Sequence, residues 1–290
     1  GKSSVENLKI PILSIQEQKI ISQYLDKKTK QIDSLIEKIE KKIELHNEQK
    51  TALINQYFTK GLDPNVYMKD SGFDWIGEIP KHWESIKLKH IINYRKGFAF
   101  KSSMFSDNGL SIIKASDIKN RTIRKPSFFL PLEFKDQFND VKLKTNDVII
   151  STVGSKYSIV ESAVGQIALL PKEFDGALLN QNTVCLRLNE GLKIDIQYVF
   201  YTLQTKSYRS QLDVHAHGTA NQASLNVEDI LNYELFLPSY KEQIEIVEKI
   251  SFEIKNLNKI INLELKKITT LNEYRQSLIS SVVTGKKRVV

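Results

Sequence analysis

The sequence predicts an α+β fold: one mixed α/β domain flanked by two long α-helices that pair as an antiparallel coiled coil. Three observations support it: an internal repeat, helical spacing of apolar residues in both copies, and short β-type runs between them. A chain of 290 residues, 41% of them hydrophobic, can bury a substantial core. We expect a linker or tail at 1–14, helices at 15–60 and 241–285, the mixed domain at 61–240 and a basic tail at 286–290.

The repeat matches without gaps. Glu17-Gln18 recurs as Glu242-Gln243, and the same offset of 225 residues relates Ile36 to Ile261 and Thr59 to Thr284. A gap-free match over more than forty residues indicates one structural unit that is used twice.

Both copies space their apolar residues alternately four and three apart, which is typical of a coiled-coil seam. In the first copy these residues are Leu25, Ile32, Ile36, Ile39, Ile43, Leu53 and Tyr57. In the second they are Ile250, Ile254, Leu257, Ile261, Ile268, Leu271, Leu278 and Val282. Polar residues interrupt both seams, and such breaks usually fix register and partner: Thr29, His46, Lys50, Glu264 and Arg275.

Each helix needs a partner, because about forty helical residues extend ~60 Å, further than a compact domain covers. The simplest partner is the other copy, paired antiparallel within one molecule. Pairing between two molecules is the alternative that the sequence leaves open.

The segment between the helices changes character after Gly61 and Pro64, which supply a helix stop. Turn formers and aromatic residues dominate 72–80, and alternating β-type runs follow at 147–153, 159–164 and 182–188. Residues from Tyr198 to Leu212 have helical character. This order predicts the mixed domain.

Composition excludes several classes of protein. No apolar run approaches the ~20 residues that span a bilayer, and no secretory signal opens the sequence, so we expect a cytoplasmic location. Cys185 is the only cysteine, which rules out a disulfide within the chain and a zinc site built on thiolates. Its apolar strand context predicts a buried, inert thiol.

The net charge of +8 is concentrated in the middle of the chain, where residues 67–226 carry 21 Lys/Arg against 16 Asp/Glu. One basic cluster holds Lys87, Lys89, Arg95, Lys96 and Lys101; another holds Lys114, Lys119, Arg121, Arg124 and Lys125. Clustered cations favour a polyanionic partner, although an ordinary solvated surface also explains a mild excess.

Amide and hydroxyl side chains that can contact base edges or DNA backbone are grouped at 180–182 and 215–222. Glycine with amides also describes an ordinary polar turn, so the chemistry alone leaves both interpretations open.

A family resemblance covers essentially the whole chain. The run Trp75-Ile76-Gly77-Glu78-Ile79-Pro80 within 68–84 resembles the opening of a target recognition domain in the specificity subunits of Type I restriction-modification systems. The likeness continues through Lys96-Gly97-Phe98, 143–152, Leu179-Asn180-Gln181-Asn182, Gly218-Thr219-Ala220 and 237–243.

The resemblance implies a subunit with two recognition domains, each followed by a long helix, and helices that separate two halves of a split DNA target. This chain instead runs helix, domain, helix, and residues 4–12 resemble the tail of a preceding recognition domain. With Gly1 in place of an initiator methionine, we expect a fragment or split form of a longer subunit. A homodimer of half-subunits is the alternative.

By resemblance, the expected partners are double-stranded DNA, DNA methyltransferase subunits and a restriction subunit. The chain itself is expected to bind no cofactor. The methyltransferase would bring S-adenosylmethionine, and the restriction subunit, a translocase-nuclease, would bring ATP and magnesium.

Candidate DNA-binding residues are assigned by their chemistry and their place in the resemblance. They are Lys96, Phe98, Lys101, Lys114, Ser116, Arg121, Asn180, Gln181, His217, Thr219 and Asn221. Replacing Arg121 or Lys114 should weaken binding to all sequences, whereas replacing Asn180 or Asn221 should change the preferred target.

No catalytic or metal residues are predicted. Amino-group DNA methylation of the kind in the partner family needs an Asn/Asp-Pro-Pro-aromatic motif, and the sequence has no Pro-Pro. Gly1-Lys2-Ser3-Ser4 lacks the upstream glycine of a phosphate-binding loop, and His215-x-His217 lacks a clear third metal ligand.

The leading hypothesis is therefore a non-catalytic binding and scaffolding subunit. A stand-alone coiled-coil DNA-binding regulator is the alternative, and it would bind its target without a methyltransferase. A purely structural coiled coil would leave the basic domain unexplained.

Overall fold

The structure is a computed structural model that describes residues 13–74, 76–155, 164–215, 217–218 and 223–289. The chain divides into two compact units. The central unit is Thr51–Phe252, and the helical unit combines Gly1–Lys50 with Glu253–Val290. The segment Gly1-Lys2-Ser3-Ser4, considered above as a phosphate-binding loop, and residues 4–12, which resemble the tail of a recognition domain, lie outside the described residues.

The helices are α1 (Ile15–Lys60), α2 (Ile196–Thr202), α3 (Lys206–His215), α4 (Val227–Leu231) and α5 (Tyr240–Val283). The first strands are β1 (Met68–Asp70), β2 (Glu78–Pro80), β3 (Glu84–Lys87), β4 (Ile92–Lys96), β5 (Leu110–Ile113), β6 (Ile118–Lys119), β7 (Thr122–Ile123) and β8 (Phe129–Leu130). The later strands are β9 (Val148–Ser151), β10 (Val153–Gly154), β11 (Ile167–Leu169), β12 (Leu178–Leu179), β13 (Thr183–Leu188), β14 (His217–Gly218), β15 (Ala223–Ser224) and β16 (Glu234–Leu237).

The helical unit pairs α1 with α5 in antiparallel orientation. Arg275 Nη1 lies 2.7 Å from Asp33 Oδ1, and Lys50 Nζ lies 2.9 Å from Asn258 Oδ1. A residue further along α1 therefore contacts a residue earlier in α5, which defines the antiparallel orientation. Ile32 packs in an apolar cluster with buried residues of α5. These contacts lie within one chain.

Several residues of the predicted seam are buried: Ile32, Ile250, Leu257, Leu278 and Val282. Glu264, a predicted polar break, is also buried, and its carboxylate accepts hydrogen bonds from Lys42 at 2.6 Å and Lys267 at 3.1 Å. The two ammonium groups offset the loss of hydration of the buried carboxylate. This polar residue in the apolar seam is therefore stabilised by ion pairs.

The repeat extends to the hydrogen bonds at the start of each long helix. The Nε2 of Gln18 donates to the carbonyl of Leu13 at 2.9 Å, and Gln243 Nε2 donates to the carbonyl of Pro238 at 3.0 Å. In the first copy Glu17 accepts from the backbone N–H and the hydroxyl of Ser14, which forms a capping box.

In the second copy the Glu-Gln pair belongs to the central unit and contacts other segments of it. The Nε1 of Trp83 donates to Glu242 Oε1 at 3.1 Å, and His82 Nε2 lies 2.8 Å from Glu242 Oε2. The side-chain oxygen of Gln243 accepts from the backbone N–H of Asp195 at 2.9 Å. The start of α5, which lies in the central unit, is thereby bonded to two other segments of that unit.

The central unit contains a four-stranded sheet in the order β11-β9-β13-β4, all antiparallel. Because side chains alternate between the faces of a sheet, Val148 and Ile150 belong to one hydrophobic core and Ile149 to the other. The first core includes Val199 and Tyr208 from α2 and α3. The sheet is therefore covered on both faces.

The predicted β-type runs at 147–153 and 182–188 contain β9, β10 and β13. Of the run predicted at 159–164, residues 159–163 lie outside the described residues. The helical stretch from Tyr198 to Leu212 is interrupted after Thr202, and the hydroxyl of Thr205 accepts from the backbone N–H of Tyr208 at the start of the second helix.

α1 ends where Gly61 adopts a positive φ of 73°, in agreement with the predicted glycine stop. Cys185 is buried, and burial raises the pKa of its thiol far above the usual range. Among the described helices, none is long and apolar enough to cross a membrane.

Candidate nucleic-acid interface

A cleft of about 420 Å³ opens in the central unit. Its walls are formed by three segments that are far apart in sequence, and we refer to it as the polar cleft. After β4 the lining residues are Phe100, Ser102 and Phe105; after β5 they are 114–116; and between β12 and β13 they are 180–182. The lining combines two aromatic rings, hydroxyls, amides and one cation.

Backbone hydrogen bonds bring the three segments together. β12 runs parallel to β5 with Leu179 opposite Ile113, and the N–H of Asn180 donates to the carbonyl of Ile113 at 3.0 Å. The N–H of Phe98 donates to Leu179 at 2.9 Å. The cleft therefore lies where β4, β5 and β12 end, and backbone hydrogen bonds between these segments fix the positions of its walls.

Gly97 allows the end of β4 to approach the cleft segment closely. A Cβ atom at this position would lie 1.7 Å from the carbonyl oxygen of Asn180, far inside van der Waals contact. Only glycine fits such an approach of two backbones. The glycine therefore sets the distance between two walls of the cleft.

We expect Gly97→Ala to destabilise the central unit by about 1–3 kcal/mol, because the two backbones must separate to admit the methyl group. It should also abolish sequence-specific DNA binding at a temperature where the variant is still folded. Thermal unfolding and fluorescence anisotropy with DNA measure the two effects.

The control for this substitution is Gly191→Ala. Gly191 has a positive φ of 82° and no atom within 4 Å of the added Cβ, so that variant is strained but leaves the cleft unchanged. Wild-type DNA binding by a folded Gly97→Ala protein would contradict the prediction.

Asn180 is the most enclosed polar residue of the cleft, with 6% of its surface exposed. Its backbone carbonyl accepts from the hydroxyl and the N–H of Thr183. Its side-chain amide forms no hydrogen bond with any residue that the structure describes. An amide on the cleft wall without a protein partner leaves its donors and acceptor available to a ligand.

Lys114 lines the cleft with its ammonium group over aromatic rings. The Nζ atom lies 3.0 Å from the centroid of Phe128 and 5.0 Å from that of Phe105. Burial lowers the pKa of Lys114, and the nearby carboxylate of Asp117 partly opposes this shift. The rings thus hold the cation at the cleft wall.

Arg121 lies at the tip of the β6–β7 hairpin, outside the lining of the polar cleft. Ile118 pairs with Ile123, and the two tip residues Asn120 and Arg121 have φ values of 51° and 65°. Two positive φ values in a two-residue loop define a type I′ turn, which suits the twist of a hairpin. Arg121 is partly exposed there.

The remaining candidates fall into two groups. Lys96, Phe98 and Lys101 are exposed on the segment that leads into the cleft, and Phe98 is in ring contact with Phe100. The backbone of His217 forms part of β14. Thr219 and Asn221 lie outside the described residues. The side chains of His215 and His217 are also not among those described.

The polar cleft brings together four of the eleven candidates, namely Lys114, Ser116, Asn180 and Gln181. Sequence reasoning missed Phe100, Ser102 and Phe105 as lining residues. The signal that could have found them is the aromatic spacing Phe98-x-Phe100 directly after Gly97. Phenylalanine is usually core, and Phe100 does also belong to one of the two cores.

The fold and the site define a class of protein: a mixed α/β module, flanked in sequence by two long helices, with a cleft that combines amides, hydroxyls, aromatic rings and a cation. The profile of the family described as the Type I restriction modification DNA specificity domain matches residues 80–270. The chain belongs to this family.

Curated relatives support the assignment over the whole chain. The MjaVIII specificity subunit of Methanocaldococcus jannaschii, a Type I restriction enzyme subunit, is 28% identical over 99% of this chain and 64% of its own length. The EcoBI specificity subunit of Escherichia coli is 22% identical over 97% of this chain and 59% of its own length. The chain thus spans less than two thirds of these relatives.

Solved structures share the fold. A chain from a structure that addresses complex assembly and conformational transition of the type I R-M system superposes with a TM-score of 0.68, at 15% identity, over 94% of this chain and 60% of that chain. The HsdS subunit of Thermoanaerobacter tengcongensis superposes with a TM-score of 0.50, at 14% identity, over 96% of this chain and 61% of that chain.

Proposed function

We propose that this chain reads one half of a bipartite DNA target and scaffolds the methyltransferase and restriction subunits of a Type I restriction-modification complex. The observation that carries the proposal is the polar cleft, in a module of the specificity family. The cleft collects the side-chain types that contact bases and backbone, Asn180 and Gln181 beside Ser116 and Lys114.

The charge of the module supports DNA as the partner. Lys96 and Lys101 are exposed on the segment leading into the cleft, and Arg121 stands on a hairpin tip. Cations on projecting segments neutralise phosphates, and this contribution is independent of sequence. The amides of the cleft are suited to the sequence-dependent part of binding.

The chain itself is proposed to be non-catalytic and to bind no cofactor. S-adenosylmethionine would belong to the methyltransferase partner, and ATP with magnesium to the restriction partner. The purified chain should neither methylate nor cleave DNA. Methylation by the chain alone would overturn this part of the proposal.

The decisive experiment expresses the gene with its methyltransferase partner and maps methylated sites across a genome. We expect one recurring motif that disappears when the gene is removed. The stand-alone regulator predicts instead specific binding by the chain alone and no methylation that depends on it.

We expect Arg121→Ala and Lys101→Ala to weaken binding to every DNA sequence to a similar extent. Each lost phosphate contact should reduce the slope of log affinity against log salt by about 0.9. Anisotropy titrations over a range of salt concentrations measure the slope. Lys193→Ala, an exposed lysine of the same unit, serves as the control and should keep the wild-type slope.

A change of preferred sequence in Arg121→Ala, with the salt slope unaltered, would contradict the assignment of Arg121 to the phosphate backbone. Such a result would move this residue to the base-reading group.

A further inference from the structure

We propose that the polar cleft accepts one unstacked nucleobase of the DNA half-site and that the amide of Asn180 reads it. This inference rests on the proposed function and goes beyond it, because it specifies how one position of the target is recognised. Three observations support it: the low exposure of Asn180, the aromatic lining of the cleft, and the packing of that lining against further aromatic rings.

The depth of Asn180 argues against contact with a stacked base pair. Side chains that read the major groove protrude from a helix or β-ribbon that enters the groove. Asn180 is only 6% exposed and lies on the wall of a cleft. A base edge inside a duplex is flanked by neighbouring pairs and cannot reach it, whereas a base rotated out of the stack can.

The lining provides what an extruded base requires. Enzymes that hold flipped bases use stacking against aromatic or apolar side chains together with hydrogen bonds to the base edge. Phe100 and Phe105 line the cleft, and the free amide of Asn180 supplies both a donor and an acceptor. The volume, about 420 Å³, lies within the roughly 300–1,000 Å³ of small-ligand sites.

The aromatic walls are held in place by further rings. Phe100 lies 5.1 Å from the ring centroids of both Phe98 and Phe138, and Phe105 lies 5.1 Å from that of Phe128. Walls that are packed in advance lose little side-chain freedom when a base enters. Lys96 and Lys101 are exposed on the same segment as the lining residues Phe100 and Ser102, and these cations favour a base attached to a phosphate backbone over a free nucleoside.

The test uses the full chain with its methyltransferase partner and duplexes that carry the half-site found by methylation mapping. A mismatch is placed at each base pair in turn, because a mismatched base is easier to unstack. We expect one position, distinct from the methylated base, at which the mismatch tightens binding about 10-fold. A 2-aminopurine at that position should brighten on binding.

Asn180→Ala should remove both the tighter binding of the mismatched duplex and the increase in 2-aminopurine fluorescence at that position. The effects of mismatches at the other positions should be unchanged. Asn180→Asp, nearly equal in shape, guards against a folding defect and should change which base is preferred there. Asn65→Ala, an exposed asparagine outside the cleft, should behave as wild type.

Sequence-specific binding without any such position would overturn this inference and leave the proposed function standing. Complete absence of sequence-specific binding would overturn both. Free adenosine should not compete with DNA for the cleft. If adenosine displaced the DNA when present at the same concentration as the DNA, this inference would be overturned, because the cleft would then be a nucleoside site.

Discussion

Replacing Asp147 by alanine is expected to destabilise the central unit by about 3 kcal/mol, among the largest effects of any single substitution in this chain. Asp147 is 2% exposed and binds Arg187 through two hydrogen bonds, at 2.7 Å from Nε and 2.5 Å from Nη2. Its loss leaves the guanidinium of a central strand without a counter-ion. The value is at the low end for such pairs because Arg187 keeps some contact with solvent.

A second group also loses its partner in this variant. The backbone N–H of Lys144, an exposed residue, donates to the Asp147 carboxylate at 2.7 Å and loses this acceptor in the variant. Urea denaturation measures the total loss. Cys185 offers an independent measurement, because this single buried thiol reacts with a thiol reagent only after the sheet opens.

The control is Asp213→Ala, which removes the i,i+4 partner of Arg209 on α3. That pair is more exposed, so we expect a loss of less than about 1 kcal/mol. Equal losses in the two variants would show that the Asp147–Arg187 pair has no special role in the sheet.

The sequence was most informative about the long helices. A repeat with a constant offset and seam spacing depends only on local periodicity, so the existence of both helices could be predicted from the residues. The partners of individual residues could not. Ile54 and Phe58 are buried but lie off the predicted seam, and Phe58 contacts Tyr198 instead, 4.9 Å away between ring centroids.

Only some of the residues that line the polar cleft were among the candidates from the sequence, and the reason is physical. Its walls come from three segments that are joined by parallel pairing of β5 with β12, a contact between residues more than sixty positions apart. Amides at 180–182 were identifiable by chemistry, whereas Phe100 and Phe105 resemble ordinary core residues until that pairing is known. Lys114 was predicted as a residue whose replacement weakens binding to all DNA sequences, and its place over two aromatic rings could not be predicted from its sequence context.

Trp83→Ala is expected to destabilise the central unit by about 3–5 kcal/mol, because it empties the volume of a fully buried indole. The ring packs edge-on against Tyr198, with centroids 6.5 Å apart, and its Nε1 binds Glu242 at the start of α5. The substitution therefore removes packing and a hydrogen bond to a charged group together. Urea denaturation measures the loss.

A double-mutant cycle separates these two contributions. Trp83→Phe keeps most of the ring but loses the N–H donor, and Glu242→Ala removes the carboxylate that accepts from it. Because hydrogen bonds to charged groups contribute about 1.5–3 kcal/mol, the two single losses should exceed the double-mutant loss by a similar amount. Additive losses would show that the indole contributes only its volume. Coupling would instead show that the hydrogen bond from Trp83 to Glu242 stabilises the central unit. This bond joins the start of α5 to a residue 159 positions earlier, and Glu242 is the counterpart of Glu17 in the repeat.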